Sequence, residues 1–128
     1  MRVLSVDDSK TLRETVRSML EVLDLEFLEA ENGVEALKVL AAWNGDVDLI
    51  ILDWEMPVMN GHEFLTTIKR DARYKTIPVI MLTTISQKEK VIDAIRSGAK
   101  QYITKPFSGE DLLTKIVHTL GLDSLDGV

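Results

Sequence analysis

Polar residues follow the strand-like runs of this sequence, at the points where those runs end. Asp7 and Asp8 come after the first run, and Asp53 ends the third and most apolar run. Thr83 follows the fourth run, and Lys105 follows the fifth. Three carboxylates, a hydroxyl and an ammonium group are therefore candidates for one shared site.

The chemistry of this set of side chains points to a metal ion and a phosphoryl group. Three carboxylates with one lysine do not all stay ionised in a crevice unless a further cation joins them. Oxygen ligands without histidine or cysteine select a hard ion, which predicts Mg²⁺ or Mn²⁺. Such an ion, a lysine and a threonine suit a dianionic oxygen group, most obviously phosphate. A carboxylate in that setting can act as a nucleophile and become an aspartyl phosphate.

Each residue also has a simpler interpretation when it is taken alone. Asp7 and Asp8 suit the N-cap of a following helix, which is the more common use of such a pair. Asp53 can simply end a strand, Thr83 can enter a turn, and Lys105 can be a solvated surface charge. The shared site is favoured because the strand ends agree on one chemistry.

The elements that carry these residues alternate regularly along the chain. Apolar runs of strand length are separated by helical stripes such as Leu12, Val16 and Leu20. Continuous apolar strands joined by helices predict an α/β fold of five βα units, with a parallel sheet covered on both faces. Right-handed crossovers place all the carboxyl ends at one edge, where such folds bind ligands. The predicted strands are 3–6, 25–30, 48–53, 77–82 and 101–104.

Local signals predict the ends of the last two helices. Ser86 and Glu89 have the spacing of a capping box ahead of the fourth helix, which is expected to stop at Gly98. Ser108 occupies the equivalent place ahead of the fifth helix. Gly121 suits the position just after the last turn of that helix.

Composition limits the classes of function open to the chain. Its 128 residues include 15 Lys and Arg against 21 Asp and Glu, a formal net charge of −6, and no cysteine. Disulfides, thiolate metal sites and cysteine catalysis are therefore excluded. The length predicts one domain, at 1–121, followed by a short tail at 122–128. Without a basic stripe, a long apolar run or a signal peptide, we expect a cytoplasmic protein that binds neither nucleic acid nor membrane.

Four stretches of the sequence carry a more specific signal. They are VLSVDDS at 3–9, DLIILDWEMPVMNG at 48–61, PVIMLTT at 78–84 and GAKQYITKPF at 98–107. In this order and spacing they resemble the receiver domain of two-component response regulators, over about 1–121, and in particular the stand-alone chemotaxis type. The resemblance implies a flavodoxin-like, doubly wound five-stranded parallel sheet in the order 2-1-3-4-5.

The resemblance also implies roles for the acidic residues. Asp53 would be the phosphoacceptor, receiving a phosphoryl group from a phosphohistidine on a sensor histidine kinase or phosphotransfer protein. Asp8 would be a direct Mg²⁺ ligand, and Asp7 would act through a water molecule. Asp53 itself and the backbone carbonyl of Glu55 would complete the protein ligands.

The remaining motif residues would sense the phosphoryl group. Lys105 would contact it, with a cis peptide bond to Pro106, and Thr83 would be the switch hydroxyl. Tyr102 would then move from an exposed to a buried position, changing the face formed by helix 4, strand 5 and helix 5 for a downstream protein target. By the same resemblance, the chain would be no enzyme beyond its own phosphorylation and dephosphorylation.

Two variable positions of the family are also occupied in an informative way. Glu55 and Ile85 would flank the path of the water that hydrolyses the aspartyl phosphate, which suggests a phosphoryl lifetime that is modest rather than extreme.

Three alternatives remain for comparison. A haloacid-dehalogenase-type phosphatase needs a second Asp where this chain has Glu55, and it usually needs a cap and more chain. A flavodoxin needs a hydroxyl-rich phosphate loop after the first strand, where Asp7 and Asp8 would repel FMN. A pseudo-receiver scaffold would keep the fold without phosphorylation, but the complete residue set argues against it.

Overall fold

A computed structural model describes residues 1–84 and 88–122 of the chain. Ile85, the predicted cap Ser86 and residues 123–128 lie outside this described part. Among the helices of the described part, none is both long enough and apolar enough to cross a membrane. The elements are β1 (Arg2–Val6), α1 (Lys10–Val22), β2 (Glu26–Ala30), α2 (Gly33–Ala42), β3 (Leu49–Asp53), α3 (Gly61–Lys69), β4 (Val79–Thr84), α4 (Lys88–Arg96), β5 (Gln101–Lys105) and α5 (Gly109–Thr119).

The strands pair in parallel in the order β2-β1-β3-β4-β5, which confirms the predicted fold class and strand order. The chain begins in β1, moves outward to β2, and then crosses to β3 on the other side of β1. This reversal places a topological switch point between β1 and β3, and ligands in such sheets bind outside the carboxyl ends of the strands at that point. Asp7 follows β1 and Asp53 ends β3, so both of these strand ends carry a carboxylate.

Apolar layers cover both faces of the sheet. On one face α2, α3 and α4 bury Leu40, Phe64 and Ala94 against the strands. On the other face α1 and α5 bury Leu20 and Ile116. β3 is buried along its whole length, which explains its unbroken apolar run, because a central parallel strand meets apolar side chains on both faces. Each large aliphatic side chain buried in this way contributes roughly 1.5–3 kcal/mol, so the layers hold the sheet edge firmly in place.

Side-chain caps fix the starts of several helices. The hydroxyl of Ser9 accepts a hydrogen bond from a backbone N–H of the first turn of α1 at 3.2 Å. The interpretation of Asp7 and Asp8 as the cap of this helix is therefore wrong. At α3, Asn60 and Glu63 form a capping box. The capping residues described are Ser9, Asn32, Asn60 and Ser108.

The fourth strand is shifted by two residues at each end from the predicted range 77–82. β4 begins at Val79 because the ring of Pro78 leaves no N–H for the strand ladder. At its other end Thr83 and Thr84 pair in register with the last two residues of β5. The predicted site threonine thus lies on a paired strand rather than in a loop.

Candidate functional site

Three carboxylates meet at the carboxyl edge of the sheet, beside the switch point. Asp7, Asp8 and Asp53 each offer one oxygen, and these oxygens all lie within 4.8 Å of one another. Asp7 and Asp53 are only 1% and 5% exposed, whereas Asp8 is exposed. The cluster therefore joins two carboxylates that are almost out of contact with water to a third that opens to solvent.

Local hydrogen bonds hold Asp7 at the end of β1. Its N–H donates to the carbonyl of Ala30 at 3.1 Å, which prolongs the contact with β2. Its Oδ1 accepts from the N–H of Ser9 at 2.8 Å. Its Oδ2 is buried and accepts no hydrogen bond from any described residue. A buried carboxylate oxygen in that position is costly unless a cation or a donor joins it.

Lys105 brings the positive charge to this edge. Its Nζ lies 3.2 Å from Oδ1 of Asp53 and 3.7 Å from Oδ2 of Asp7. The N–H of Glu55 donates to the same Oδ1 of Asp53 at 3.3 Å. The peptide bond between Lys105 and Pro106 is cis, as the resemblance implied. One lysine therefore faces three carboxylates.

The ionisation of the two buried carboxyl groups reflects this imbalance. Burial raises the pKa of Asp53 to about 6, and the charge of Asp7 adds to the rise. The Lys105 ammonium group and the N–H of Glu55 act in the opposite direction. Burial also raises the pKa of Asp7, against the lowering effects of the Ser9 N–H and of Lys105. The protein alone therefore does not fully compensate three ionised carboxylates.

The residues present fit a hard divalent cation. The three carboxylates offer only oxygen, the donor type that such cations prefer, and their oxygens are close enough to share one ion. The buried Oδ2 of Asp7 lacks a hydrogen-bond partner in the described structure and faces the same edge as Lys105. A divalent cation would also balance the two negative charges that Lys105 leaves uncompensated.

The two predicted switch residues lie on neighbouring strands. Thr83 is buried, and its hydroxyl donates to the carbonyl of Thr84 at 3.4 Å. Tyr102 is 44% exposed. Met81 pairs with Tyr102 and Thr83 pairs with Thr104, so Thr83 and Tyr102 stand diagonally on the same face of the sheet. The two residues predicted to form the switch are therefore a buried hydroxyl and an exposed ring on neighbouring strands.

The glycine that ends the sequence motif at 48–61 shapes the site. Gly61 is buried at the start of α3, and its N–H donates to the carbonyl of Trp54 at 3.0 Å. A Cβ at this position would lie 2.7 Å from both the carbonyl oxygen of Asp53 and the Cα of Trp54. The helix therefore packs directly on the backbone of the candidate nucleophile. The sequence signals at this position are the motif at 48–61, which ends on Gly61, and the pair Asn60-Gly61, which is typical of turns as well.

The residue that follows Asp53 belongs to an aromatic pair. Trp54 follows Asp53 directly and is buried, and the ring of His62 meets it edge-on with 5.6 Å between ring centroids. His62 is exposed and does not belong to the carboxylate cluster. Trp54 is therefore a natural optical reporter of events at Asp53.

Fold and site together define a class of protein. A doubly wound parallel sheet carries at its switch point three carboxylates, a lysine and a buried threonine, a set suited to a divalent cation and a phosphoryl group. This is the architecture of a doubly wound α/β domain with an acidic site rather than of a nucleotide or flavin carrier, because the carboxylates follow the first strand, where a carrier binds phosphate.

Comparison with known proteins agrees with this class. A family model described as "Response regulator receiver domain" matches residues 3–117. The chain is 44% identical to chemotaxis protein CheY1 of Helicobacter pylori over 122 residues, which cover 94% of this chain and 98% of that protein. It is 41% identical to the chemotaxis protein CheY homolog of Campylobacter jejuni over 128 residues, covering 99% and 98%. A solved structure of Vibrio cholerae chemotaxis protein CheY4 matches with a TM-score of 0.84 and 36% identity, covering 92% and 97%.

The chain belongs to the response regulator receiver domain family, within its chemotaxis-type branch. This membership places it in two-component signal transduction. Proteins of this family are signalling proteins and not conventional enzymes. The acidic cluster of the present chain is compatible with a divalent metal.

Proposed function

We propose that this chain is a phosphorelay receiver in which Mg²⁺-dependent phosphorylation of Asp53 switches a protein-binding face. The observation that carries the proposal is the setting of the Asp53 carboxylate, which is buried, lies 3.2 Å from Nζ of Lys105, and has two further carboxylates within 4.8 Å. A buried acid beside a lysine and a cation site suits nucleophilic attack on a phosphoryl group. We assign this function to residues 1–121.

The phosphoryl group is supplied by a phosphohistidine of a sensor histidine kinase or a phosphotransfer protein. The bond between phosphorus and the histidine nitrogen breaks, and its electron pair stays with the imidazole, which leaves neutral when its other nitrogen carries a proton. A carboxylate oxygen of Asp53 forms the new bond to phosphorus. Because the carboxylate is consumed, the domain catalyses only its own phosphorylation and the later attack of water on the aspartyl phosphate.

The acidic residues hold the cation in this proposal. Asp8, Asp53 and the backbone carbonyl of Glu55 are direct ligands, and Asp7 acts through a water molecule. Mg²⁺ held by these residues, or Mn²⁺ in its place, would supply positive charge for phosphoryl oxygens that the carboxylates would otherwise repel. The exposure of Asp8 and the burial of Asp7 support this division, since the more open carboxylate is the one a hydrated ion reaches first.

Lys105 is the positive partner of the phosphoryl group. Its ammonium group already lies beside Asp53 and is only partly exposed, so it can move from the carboxylate to a phosphoryl oxygen without crossing solvent. This exchange of partners keeps the charge paired in both states. A charge-assisted contact of this kind is stronger than a neutral hydrogen bond.

The switch would run from Thr83 to Tyr102. The Thr83 hydroxyl makes a long 3.4 Å contact with a neighbouring carbonyl, a bond weak enough to be exchanged for a phosphoryl oxygen. Since Thr83 and Tyr102 lie diagonally on one face of β4 and β5, movement of the hydroxyl frees space on the side where the exposed ring stands. The new charge then biases two pre-existing states of the ring.

The downstream target would bind the output face, which we define as α4, β5 and α5. Three large apolar side chains are exposed on α4 and β5, namely Ile92, Ile95 and Tyr102. Tyr102 also lines a groove of about 360 Å³ that runs between β5 and α5. Exposed apolar side chains next to a groove favour binding of a protein partner. The residues that line the groove are Tyr102, Ile103, Thr104, Asp111, Thr114 and Lys115.

The fluorescence of Trp54 tests the proposal in solution. The variant Trp43→Phe removes the second tryptophan, which is the C-cap residue of α2, and leaves Trp54 as the only reporter. We expect its fluorescence to change on addition of Mg²⁺, and to change further when beryllofluoride, an analogue of a phosphoryl group, is added with Mg²⁺.

The control for this experiment is the same protein carrying Asp53→Asn, which should show no beryllofluoride response. A response to Mg²⁺ without any response to beryllofluoride would instead favour the pseudo-receiver alternative. No response to either reagent would contradict the proposed site altogether.

A further inference from the structure

An arginine outside the carboxylate cluster contacts the backbone on which that cluster is built. Arg13 lies in the first turn of α1, and its guanidinium group donates to the carbonyl oxygen of Asp7 at 2.6 Å. The same guanidinium group donates through Nε to Oε1 of Glu29 at 2.8 Å. The Arg13 side chain is only 12% exposed and its contact with the Asp7 carbonyl is partly buried, whereas the Glu29 side chain is 42% exposed.

These two contacts tie three elements together at the edge of the sheet. Glu29 lies on β2, one residue before the Ala30 carbonyl that accepts the N–H of Asp7. Asp7 follows β1, and Arg13 comes from α1. The backbone of Asp7 is therefore held at its N–H by β2 and at its carbonyl by α1, and Glu29 holds the arginine in place from β2.

The carbonyl of Asp7 belongs to the peptide group that joins Asp7 to Asp8. Because a peptide group is planar, fixing the direction of this carbonyl also fixes the direction of the Asp8 N–H and the position of the Asp8 Cα, from which the side chain projects. The exposed carboxylate of Asp8 has no burial to hold it. Its place in the cluster therefore depends on the backbone from which it projects.

We propose that Arg13, braced by Glu29, is a positioning residue that orients the Asp7–Asp8 peptide so that the Asp8 carboxylate reaches the divalent cation. This inference rests on the proposed cation site. Replacing a residue that orients a metal ligand through hydrogen bonds typically changes metal affinity by about 10- to 100-fold.

The direction in which Mg²⁺ affinity changes separates a positioning role of Arg13 from a purely electrostatic one. A positive guanidinium group near a cation site repels the cation, so removing its charge should strengthen Mg²⁺ binding if charge were its only influence. A positioning role predicts the opposite, because the loss of the hydrogen bond to the Asp7 carbonyl releases the peptide group. Arg13 therefore has two opposed effects whose balance can be measured.

The test is a Mg²⁺ titration followed by Trp54 fluorescence in the Trp43→Phe background. Arg13→Lys keeps the charge but replaces the two-sided guanidinium fork with a single ammonium group, which cannot hold both partners in the same geometry. Arg13→Gln removes the charge as well. The matched control is Arg17→Gln, which removes the same charge one turn later on α1, where the half-exposed Arg17 pairs with Glu14 and Glu21.

We expect Mg²⁺ to bind several-fold more weakly to Arg13→Lys than to the parent protein, and about tenfold more weakly to Arg13→Gln. The control Arg17→Gln should bind equally or slightly more tightly. Glu29→Gln alone should weaken Mg²⁺ binding. Combined with Arg13→Lys it should have little further effect, because Glu29 acts through Arg13. Circular dichroism at the titration temperature establishes that each variant is folded.

The results distinguish this inference from the proposed function. If the parent protein responds to neither Mg²⁺ nor beryllofluoride, the proposed function fails and this inference falls with it. If the parent protein responds to both reagents while Arg13→Lys binds Mg²⁺ as the parent does, only the positioning role is overturned. Tighter binding by Arg13→Gln, matched by Arg17→Gln, would show that Arg13 acts by its charge alone.

Discussion

The ammonium group of Lys105 lies 3.2 Å from a carboxylate oxygen of Asp53, although the two residues are 52 positions apart in the chain. Each residue is the last of its strand, and β4 lies between those strands. The contact therefore exists only because the parallel sheet brings both strand ends to one edge. It connects the candidate nucleophile to the lysine of the site before any phosphoryl group is bound.

Replacing this lysine should change the ionisation of Asp53. In Lys105→Met we expect the pKa of Asp53 to rise further above its ordinary value, because the ammonium group that opposes the effect of burial is gone. The carboxyl ¹³C chemical shift of Asp53, followed during a pH titration without Mg²⁺, measures this directly. Lys100→Met is the control, since it removes an exposed lysine that lies before β5. An unchanged titration of Asp53 in Lys105→Met would contradict the account of the contact.

The raised pKa of Asp53 also predicts how stability depends on pH without Mg²⁺. Between its ordinary value near 4 and the folded value of about 6, the folded state holds a proton that the unfolded state has lost. This group therefore makes the protein more stable as the pH falls from 7 to 5, by about 1 kcal/mol. We expect urea unfolding to show this gain relative to Asp53→Asn, which cannot titrate. A free-energy difference between the two proteins that stays constant across this range would refute the prediction.

Removing the exposed carboxylate should have opposite effects with and without metal. Without Mg²⁺, Asp8→Asn should unfold at a higher urea concentration than the parent protein, because the charge of Asp8 acts unfavourably on buried Asp7. With Mg²⁺, the variant should gain less stability than the parent, since it lacks a ligand. Asp24→Asn removes an equal charge from an exposed position after α1 and should gain as much stability from Mg²⁺ as the parent protein does. Equal stabilisation of parent and Asp8→Asn by Mg²⁺ would exclude Asp8 as a ligand.

The contact between α3 and the backbone of Asp53 can be tested by adding a single methyl group. Gly61→Ala would place a Cβ 2.7 Å from two backbone atoms, so we expect a loss of about 2 kcal/mol of stability or more and a displaced Asp53. Gly109→Ala is a matched control, because Gly109 also opens a helix but its nearest neighbours are the flexible Sδ and Cε of Met19 at 3.2 and 3.3 Å. Thermal unfolding compares the two, and similar small losses in both variants would show that the approach at Gly61 is not tight.

The loop after β3 contains a strained residue. Val58 has a backbone φ of +70° and is 78% exposed, so it gains little from burial while a β-branched side chain occupies the left-handed region. Val58→Asn should therefore stabilise the protein by about 1 kcal/mol, since asparagine tolerates this conformation. Val22→Asn replaces an equally exposed valine at the end of α1 and should not stabilise it. A melting temperature that does not rise for Val58→Asn would contradict the strain.

The sequence was sufficient to predict the fold class because its patterns are strong and agree with one another. Apolar runs alternate with helical stripes, and the continuous run that ends at Asp53 suits only a strand buried on both faces. The limits of β4 were harder to predict. Pro78 looked like the second residue of a strand, and Thr83 looked like the start of a turn, but pairing with β5 decides where the strand begins and ends.

The site was predictable as a set of residue types but not as a set of contacts. The carboxylates, the lysine and the threonine follow from their places at strand ends. The contacts of Gly61 and Arg13 were not predicted, although Gly61 ends the motif at 48–61. In both cases a helix residue meets a backbone carbonyl, that of Asp53 for Gly61 and that of Asp7 for Arg13. Such contacts join residues through the main chain, so the type of the accepting residue leaves no signal in the sequence.

The measurement that tests the central claim most directly is the intact mass of the protein after incubation with acetyl phosphate. With Mg²⁺ present we expect the mass to increase by one phosphoryl group, the modification to be lost on treatment with hydroxylamine as an acyl phosphate is, and chelation of the metal to prevent it. The variant Asp53→Asn should remain unmodified under the same conditions. A parent protein that never gains the group, or an Asp53→Asn protein that gains it equally, would contradict the assignment of Asp53 as the phosphoacceptor.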